Sequence, residues 1–419
     1  MNAPGHCLDV SASAVVERLA AHLSTPTPGE EPWLGQSLGE GAAGIALVHI
    51  ERAHTGQGTW QQAHRWIKAM VAEQVSAADT TGLFLGITAV AFVLAAADTD
   101  TGTGSGSGSG SSRYTEVRAG MDAHVTRLAH RRVEAAMDRI HRGEPTTFGE
   151  YDTFYGLTGV GAHLLRQNPS GDAMGRVLNY LVALTRPVVV DGHARPGWWV
   201  GHDPRRGHSV HFAGGHGNLG AAHGITGPLM LLSRAQRRGV TVPGQTEAIE
   251  TILTHLDQWR QDAERGPWWP EHLTAHDLAT GRPHQQGPAR PSWCYGTPGI
   301  ARAGQLAALA IGDQARQRFY EHALEACLSD PAQMGKLRDG SLCHGWAGVY
   351  QTTWRAARDA ATSALAAHLP GLAASLAHHA EDTTMTGLLE GRAGSALALS
   401  TVPTNAAPIT GWDACLLID

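Results

Sequence analysis

Trp293-Cys294-Tyr295-Gly296-Thr297-Pro298-Gly299 and Leu342-Cys343-His344-Gly345-Trp346-Ala347-Gly348 are two successive copies of one short motif. In each, a cysteine stands two residues before the first glycine of a G-x-x-G, and an apolar run follows. The same pattern recurs along the chain in seven copies, beginning at Gly41, Gly86, Gly156, Gly224, Gly296, Gly345 and Gly391. The second copy carries Ala89 in the second glycine place. Successive copies are 45 to 72 residues apart (86−41 and 296−224), which leaves room for a loop and at least one further helix. A period of this size marks a repeat architecture, in which no single unit buries its own apolar face.

Two kinds of helix alternate. The segments after the glycine turns, such as Ile87 to Ala97 and Gly394 to Leu399, are small and apolar nearly all round and belong inside. Between them, Thr246 to Arg260 places Ile249, Ile252, Leu253, Leu256 and Trp259 at helical spacing, with charged residues in between. Asp313 to Leu328 does the same with Ala315, Phe319, Leu324 and Cys327. Polar-faced and apolar helices in alternation predict an outer ring around an inner one. The expected fold is all-α, an α/α toroid of about seven inner and seven outer helices in one domain over 1–419. The glycines fall at inner-helix N-termini, where the chain turns sharply and packs tightly. Two stretches interrupt the pattern. Thr101 to Ser112 is a low-complexity Gly/Ser/Thr run and reads as a flexible loop. Arg186 to Gly217 has β-branched runs, turns and aromatics without helical period, and predicts a small β-containing flap over one face of the ring.

Bulk composition narrows the function. The formal net charge is −6 over 419 residues, so there is no basic footprint, and nucleic acid is not an expected partner. The longest apolar run, Ile87 to Ala97, is shorter than the ~20 residues needed to span a bilayer. Met1 to Leu19 lacks the basic-then-apolar order of a secretory signal. Five widely spaced cysteines do not form a disulfide framework. These features predict a soluble protein of a reducing compartment, the cytoplasm.

If the copies are arranged around an axis, equivalent positions converge, and Cys294, Cys343 and His344 meet at one point. Two thiolates and an imidazole are one donor short of the four that Zn²⁺ prefers, which is the form of an open catalytic site. Their charge already offsets that of the ion. Such an electron-rich zinc is a poor activator of water and suits the ionisation of an incoming thiol. A structural zinc closed by a fourth ligand from elsewhere is the competing reading, against which stands the absence of a C-x₂₋₄-C pair. Cys7, Cys327 and Cys415 read as packing thiols.

Two further copies, and the surroundings of Cys294, add candidates. His223 directly precedes Gly224, as His344 precedes Gly345, and Asp152 lies four residues before Gly156. They are candidates for a general acid/base and its partner, set against a merely structural histidine. Arg290, four residues before Cys294, is a candidate for balancing charge or stabilising an enolate oxygen, or is a surface arginine. Tyr295 joins the candidate catalytic residues. His202, His208, His211 and His216 stay unassigned.

At these residues the chain resembles the lanthionine synthetase C-like family, the lanthipeptide cyclases. The matching strings are Asn218-Leu-Gly-Ala-Ala-His223-Gly-Ile-Thr-Gly227, Trp293 to Ile300, Leu342 to Gly348, and Tyr151-Asp152-Thr-Phe-Tyr-Gly-Leu-Thr-Gly159. The likeness runs from about Gly39 to Leu399, with the first two repeats and the low-complexity loop departing most. It implies an α/α toroid with one zinc on Cys294, Cys343 and His344. It implies Michael-type addition of peptide cysteine thiols to dehydroalanine or dehydrobutyrine, closing lanthionine or methyllanthionine thioether rings. His223 would then protonate the α-carbon, and Asp152 would relay the thiol proton or orient His223. The implied partners are a dehydrated precursor peptide with its leader and a separate dehydratase, in a complex peripheral to a membrane. Other readings keep the zinc but move glutathione or a prenyl group, or make the protein a non-catalytic zinc scaffold that binds peptides.

Overall fold

The computed structural model describes residues 4–26, 31–99 and 114–419. The expected loop Thr101 to Ser112 lies outside the described residues. In six of the seven glycine motifs the first glycine is a helix N-cap, and in the fourth the helix begins two residues on, at Thr226. Numbering the ring helices in chain order, the odd ones are α1 (Pro4–His22), α3 (Trp60–Met70), α5 (Thr115–His141), α7 (Asp172–Leu184), α9 (Gln245–Trp259), α11 (Gln314–Ser329) and α13 (Ala364–His379). The even ones, which follow the glycine turns, are α2 (Ala42–His54), α4 (Ile87–Ala97), α6 (Leu157–Gln167), α8 (Thr226–Arg237), α10 (Thr297–Ile311), α12 (Trp346–Asp359) and α14 (Arg392–Thr404).

Burial separates the two sets as their composition requires. All eleven residues of α4 are buried, so this helix has neighbours on every side. In α9 only the stripe Ala248, Ile249, Ile252, Leu253, Leu256 and Trp259, with Gln245, is buried, and the other face is solvated. Each even helix packs on the next, and α14 packs on α2, so the inner ring is closed. Each inner helix also packs on the outer helix that follows it, except α14, which pairs with α1. The last inner helix thus joins the first outer one, and the two ends of the chain seal the seam. Closure leaves no exposed terminal repeat for a capping unit to cover. The fold is an α/α toroid.

The second glycine of each motif is explained by close approach rather than by an unusual φ. A Cβ at Gly299 would lie 2.0 Å from the Trp293 carbonyl oxygen, at Gly348 2.1 Å from that of Leu342, and at Gly159 2.1 Å from that of Thr153. In every case the carbonyl belongs to the residue six positions earlier, so the inner helix folds back directly onto its own entry turn. Of the motif glycines only Gly86, opening the divergent second copy, has φ in the left-handed region (+78°).

Six short strands form three two-stranded antiparallel sheets among the described residues. β1 (Val188–Val190) pairs antiparallel with β2 (His193–Arg195), inside the stretch expected to form a flap. β4 (Gln261–Ala263) pairs with β5 (Gly266–Trp268). β3 (His216–Asn218) pairs with β6 (His272–Thr274), far away in sequence. The hairpin and β6 around 261–274 were not signalled by the sequence, where three-residue strands show no period.

A terminal segment fills the ring from inside. Trp412–Leu416 forms a 3₁₀ turn, and Trp412, Cys415, Leu416, Leu417 and Ile418 are fully buried. Arginines from successive inner helices grip it. Arg166 donates to the Thr410 carbonyl (2.8 Å), Arg302 to that of Ile418 (2.9 Å), and Arg355 forms a bidentate pair with buried Asp413 (2.6 and 2.7 Å). Arg234 pairs with Asp419. Trp293, beside the first cysteine, donates its indole N–H to the Leu416 carbonyl (3.0 Å), so this segment supports the cysteine turns from below.

Candidate active site

A closed circuit of backbone hydrogen bonds brings the motif positions together. Two residues before the first glycine, the seven copies carry Gly39, Phe84, Phe154, Ala222, Cys294, Cys343 and Leu389. The carbonyl of each accepts an N–H from the preceding copy, and the last copy donates back to the first. The bonds run Leu38 to Phe84 (3.0 Å), Phe84 to Phe154 (3.3 Å), Thr153 to Ala222 (3.1 Å), Ala221 to Cys294 (2.9 Å), Cys294 to Cys343 (3.3 Å), Cys343 to Leu389 (2.8 Å) and Leu389 to Gly39 (3.0 Å). Residues 49 apart in the chain (343−294) therefore become hydrogen-bonded neighbours.

The side chains of this circuit line a cavity of about 330 Å³ formed by Glu40, Phe154, Ala222, His223, Arg290, Cys294, Tyr295, Cys343, His344, Leu389 and Glu390. The ligand atoms of Cys294, Cys343 and His344 all lie within 4.8 Å of one another. A zinc ion with bonds of roughly 2.0–2.3 Å reaches donors at such separations with small side-chain adjustments, and the set is chemically apt: two soft sulfurs and an imidazole. The residues present fit the ion. Cys294 is buried, while Cys343 and His344 are half-buried and open to the cavity. A hydrogen bond from the Cys343 thiol, aided by His344 and Ser292, holds the Cys294 thiol well below the ordinary thiol range against the effect of burial. The Cys343 thiol, as donor, moves upward. His344 is raised, chiefly by its own hydrogen bond to Cys294. Cys327 and Cys415 lie apart, both buried, and burial pushes the Cys327 thiol up to about 12.

On the adjacent part of the wall, His223 Nδ1 lies 2.6 Å from Asp152 Oδ2, with the carboxylate fully buried and the imidazole side chain 26 % exposed. The other carboxylate oxygen, Oδ1, accepts from the N–H of Tyr155 (2.6 Å) and of Gly156 (2.8 Å) at the start of α6. Phe148 and Tyr155 stack near-parallel to the imidazole (22° and 9°), and Tyr151 donates its hydroxyl to the His223 carbonyl (3.1 Å). The ring is thus fixed in position and orientation. Tyr295 receives the Asn218 amide N–H on its phenol oxygen (2.8 Å), and burial raises its pKa, keeping the phenol protonated. Arg290 is half-buried on the cavity wall with no salt bridge among the described residues.

All seven residues singled out from the sequence therefore share one cavity wall or touch a residue on it, Asp152 doing so through His223. Two charged lining residues were missed, Glu40 and Glu390. A signal for them existed: they stand directly before Gly41 and Gly391, the place that His223, Tyr295 and His344 hold in their copies. Of the unassigned histidines, His202 and His216 lie behind Phe148, which contacts both edge-on (4.7 and 5.4 Å between ring centroids).

A family model described as "Lanthionine synthetase C-like protein" matches residues 32–417. The chain belongs to that family. Among curated proteins, it is 23% identical over 269 residues to the nisin biosynthesis protein NisC of Lactococcus lactis subsp. lactis, a match covering 61% of this chain and 62% of NisC. The matched stretch thus spans less than two thirds of that relative. Among solved structures, one titled "Nisin cyclase" superimposes with a TM-score of 0.76 at 19% identity, covering 97% of this chain and 96% of its own. That likeness carries the toroid. No helix among the described residues is long and apolar enough to cross a membrane.

Proposed function

We propose that this protein is a zinc-dependent lanthipeptide cyclase. It would add peptide cysteine thiols to dehydroalanine or dehydrobutyrine, forming lanthionine or methyllanthionine thioether rings in a dehydrated precursor peptide. The single observation that carries the reading is the convergence of Cys294, Cys343 and His344 within 4.8 Å in the cavity that His223 also lines. Membership of the lanthionine synthetase C-like family supports it.

Cys294, Cys343 and His344 would hold the ion. What zinc supplies in such a set is acidification of an incoming thiol while its sulfur stays nucleophilic. The protein residues account for the protons. The thiol gives one up to His223, the new C–S bond forms at the β-carbon, and the electron pair of the double bond moves to the α-carbon and its carbonyl as an enolate. Arg290 and the protonated Tyr295 phenol, on the same wall, are the donors available to that enolate oxygen. Asp152 accepts the Nδ1 proton of His223, which leaves Nε2 as the nitrogen that takes and gives protons. His223 then delivers a proton to the α-carbon, and the reaction closes with no net proton change. Asp152 is an orienting and charge-balancing partner in this scheme, because it is fully buried and out of a substrate's reach. A separate dehydratase would supply the unsaturated residues.

The test is metal analysis of the purified protein, followed by incubation with a dehydrated, cysteine-containing peptide and thiol alkylation read by mass spectrometry. Ring closure leaves the peptide mass unchanged and removes the alkylatable thiol. Thiols that all stay free in the presence of zinc-loaded protein would refute the cyclase reading.

A further inference from the structure

Among the described residues, Glu40 and Glu390 are the only carboxylates that line the cavity. They come from the first and last repeats, which the seam between α14 and α2 makes neighbours in the ring, and both hold the position that carries His223, Tyr295 and His344 elsewhere. Among the described residues neither forms an ion pair with arginine or lysine. Glu390 Oε1 lies 4.0 Å from Nδ1 of the His344 imidazole, and its side chain is 59 % exposed. Glu40 is likewise exposed. Among the described residues the one cationic side chain on the wall is Arg290, which also faces the half-buried Glu271 carboxylate, so three carboxylates share one guanidinium. The cavity therefore presents a net negative charge beside the point where an incoming thiol must arrive.

We propose that Glu40 and Glu390 set the substrate class of this site: cysteine thiols flanked by cationic residues are accepted, and thiols that carry carboxylates, glutathione among them, are disfavoured. The inference takes from the cyclase reading only that a peptide thiol enters this cavity. The carboxylates act at a distance through solvent, so their effect is a bias in encounter and affinity that added salt weakens. Two like charges within about 8–10 Å of a flanking residue give roughly five- to tenfold discrimination between a lysine and a glutamate there at low ionic strength.

Calorimetric affinities for acetyl-Lys-Cys-Lys-amide and acetyl-Glu-Cys-Glu-amide test this on the full chain without any turnover. The lysine peptide should bind about five- to tenfold more tightly. The ratio should shrink in 0.5 M salt and fall to within about twofold in the Glu40→Gln/Glu390→Gln protein. A ratio near one in the unsubstituted protein, a preference for the glutamate peptide, or a ratio that the double substitution leaves intact would each overturn the proposal. The salt series needs no variant, so a misfolded double variant does not remove the test. Matching peptides with a dehydroalanine are then assayed for ring closure. Charge preference without ring closure refutes the cyclase reading and keeps this one; ring closure without charge preference does the reverse.

Discussion

Asp152 Oδ2 and His223 Nδ1 lie 2.6 Å apart across two neighbouring repeats, with the carboxylate fully buried and its other oxygen committed to two backbone N–H groups. A carboxylate in this place only accepts, so the imidazole proton sits on Nδ1 and the lone pair on Nε2. Asp152→Asn keeps the shape but not the choice. With the asparagine oxygen held by the Tyr155 and Gly156 N–H groups, its amide nitrogen faces His223 and moves the ring proton to Nε2. Ring closure should fall by roughly 10²–10⁴-fold with little loss of peptide binding. Nitrogen chemical shifts of the imidazole should report the exchanged tautomer, and an unchanged tautomer would count against the orienting role.

Metal content should follow the cavity residues and ignore the other thiols. Cys294→Ala, Cys343→Ala and His344→Ala should each lower bound zinc from about one per chain towards zero. Cys327→Ala and Cys415→Ala, whose thiols are buried elsewhere, should retain it while costing about 1–2 kcal/mol of packing. Elemental analysis after dialysis against a mild chelator gives the answer for each.

The glycine that closes each turn should be far less tolerant than one in an outer helix. A Cβ on Gly299 would meet the Trp293 carbonyl oxygen at 2.0 Å, next to Cys294, whereas a Cβ on Gly175 in α7 meets nothing within 4 Å. Gly299→Ala should destabilise the fold by about 3 kcal/mol or more and weaken zinc retention with it. Gly175→Ala should stabilise by about 0.5–1 kcal/mol through helix propensity and unfolded-chain entropy. Denaturant midpoints compare the two directly.

Acid should destabilise the protein through buried histidines outside the cysteine cluster. Burial lowers the imidazole pKa of His49 to about 4 and of His216 to about 4. In the unfolded chain both titrate near 6.5, so below that pH the unfolded state binds protons that the folded state refuses. Stability is fully present above about pH 6.5 and is lost as pH falls towards 4, by up to about 3 kcal/mol per residue. His49 Nε2 bonds the Leu23 carbonyl (2.7 Å) and His216 Nδ1 that of His202 (2.8 Å). His49→Gln and His216→Asn can keep those bonds without titrating. Midpoints measured from pH 7 to pH 4.5 should fall less steeply in the double variant than in the unsubstituted protein.

Helix type and order were legible in the residues themselves. The all-apolar run Ile87 to Ala97 and the striped run Thr246 to Arg260 differ because one helix has protein on every side and the other has water on one, and α4 and α9 occupy those two environments. The glycine spacing likewise told where inner helices start, because backbone packed within 2.0–2.2 Å of a Cβ position excludes every side chain. The strands around 261–274 left no such trace, since three residues carry too little alternation to see.

By itself the sequence determined a seven-fold repeat and, through it, that Cys294, Cys343 and His344 occupy equivalent positions. What it did not contain is the circuit of N–H to carbonyl bonds that turns equivalence into proximity, because such bonds involve backbone atoms that every residue has. Nor did it fix the joining of α14 to α1 and α2, which makes neighbours of Glu390 and Glu40 across the whole length of the chain. Side-chain patterns report only the local environment of each helix, and a ring closes through contacts between segments hundreds of residues apart. Those contacts exist only once the chain has folded.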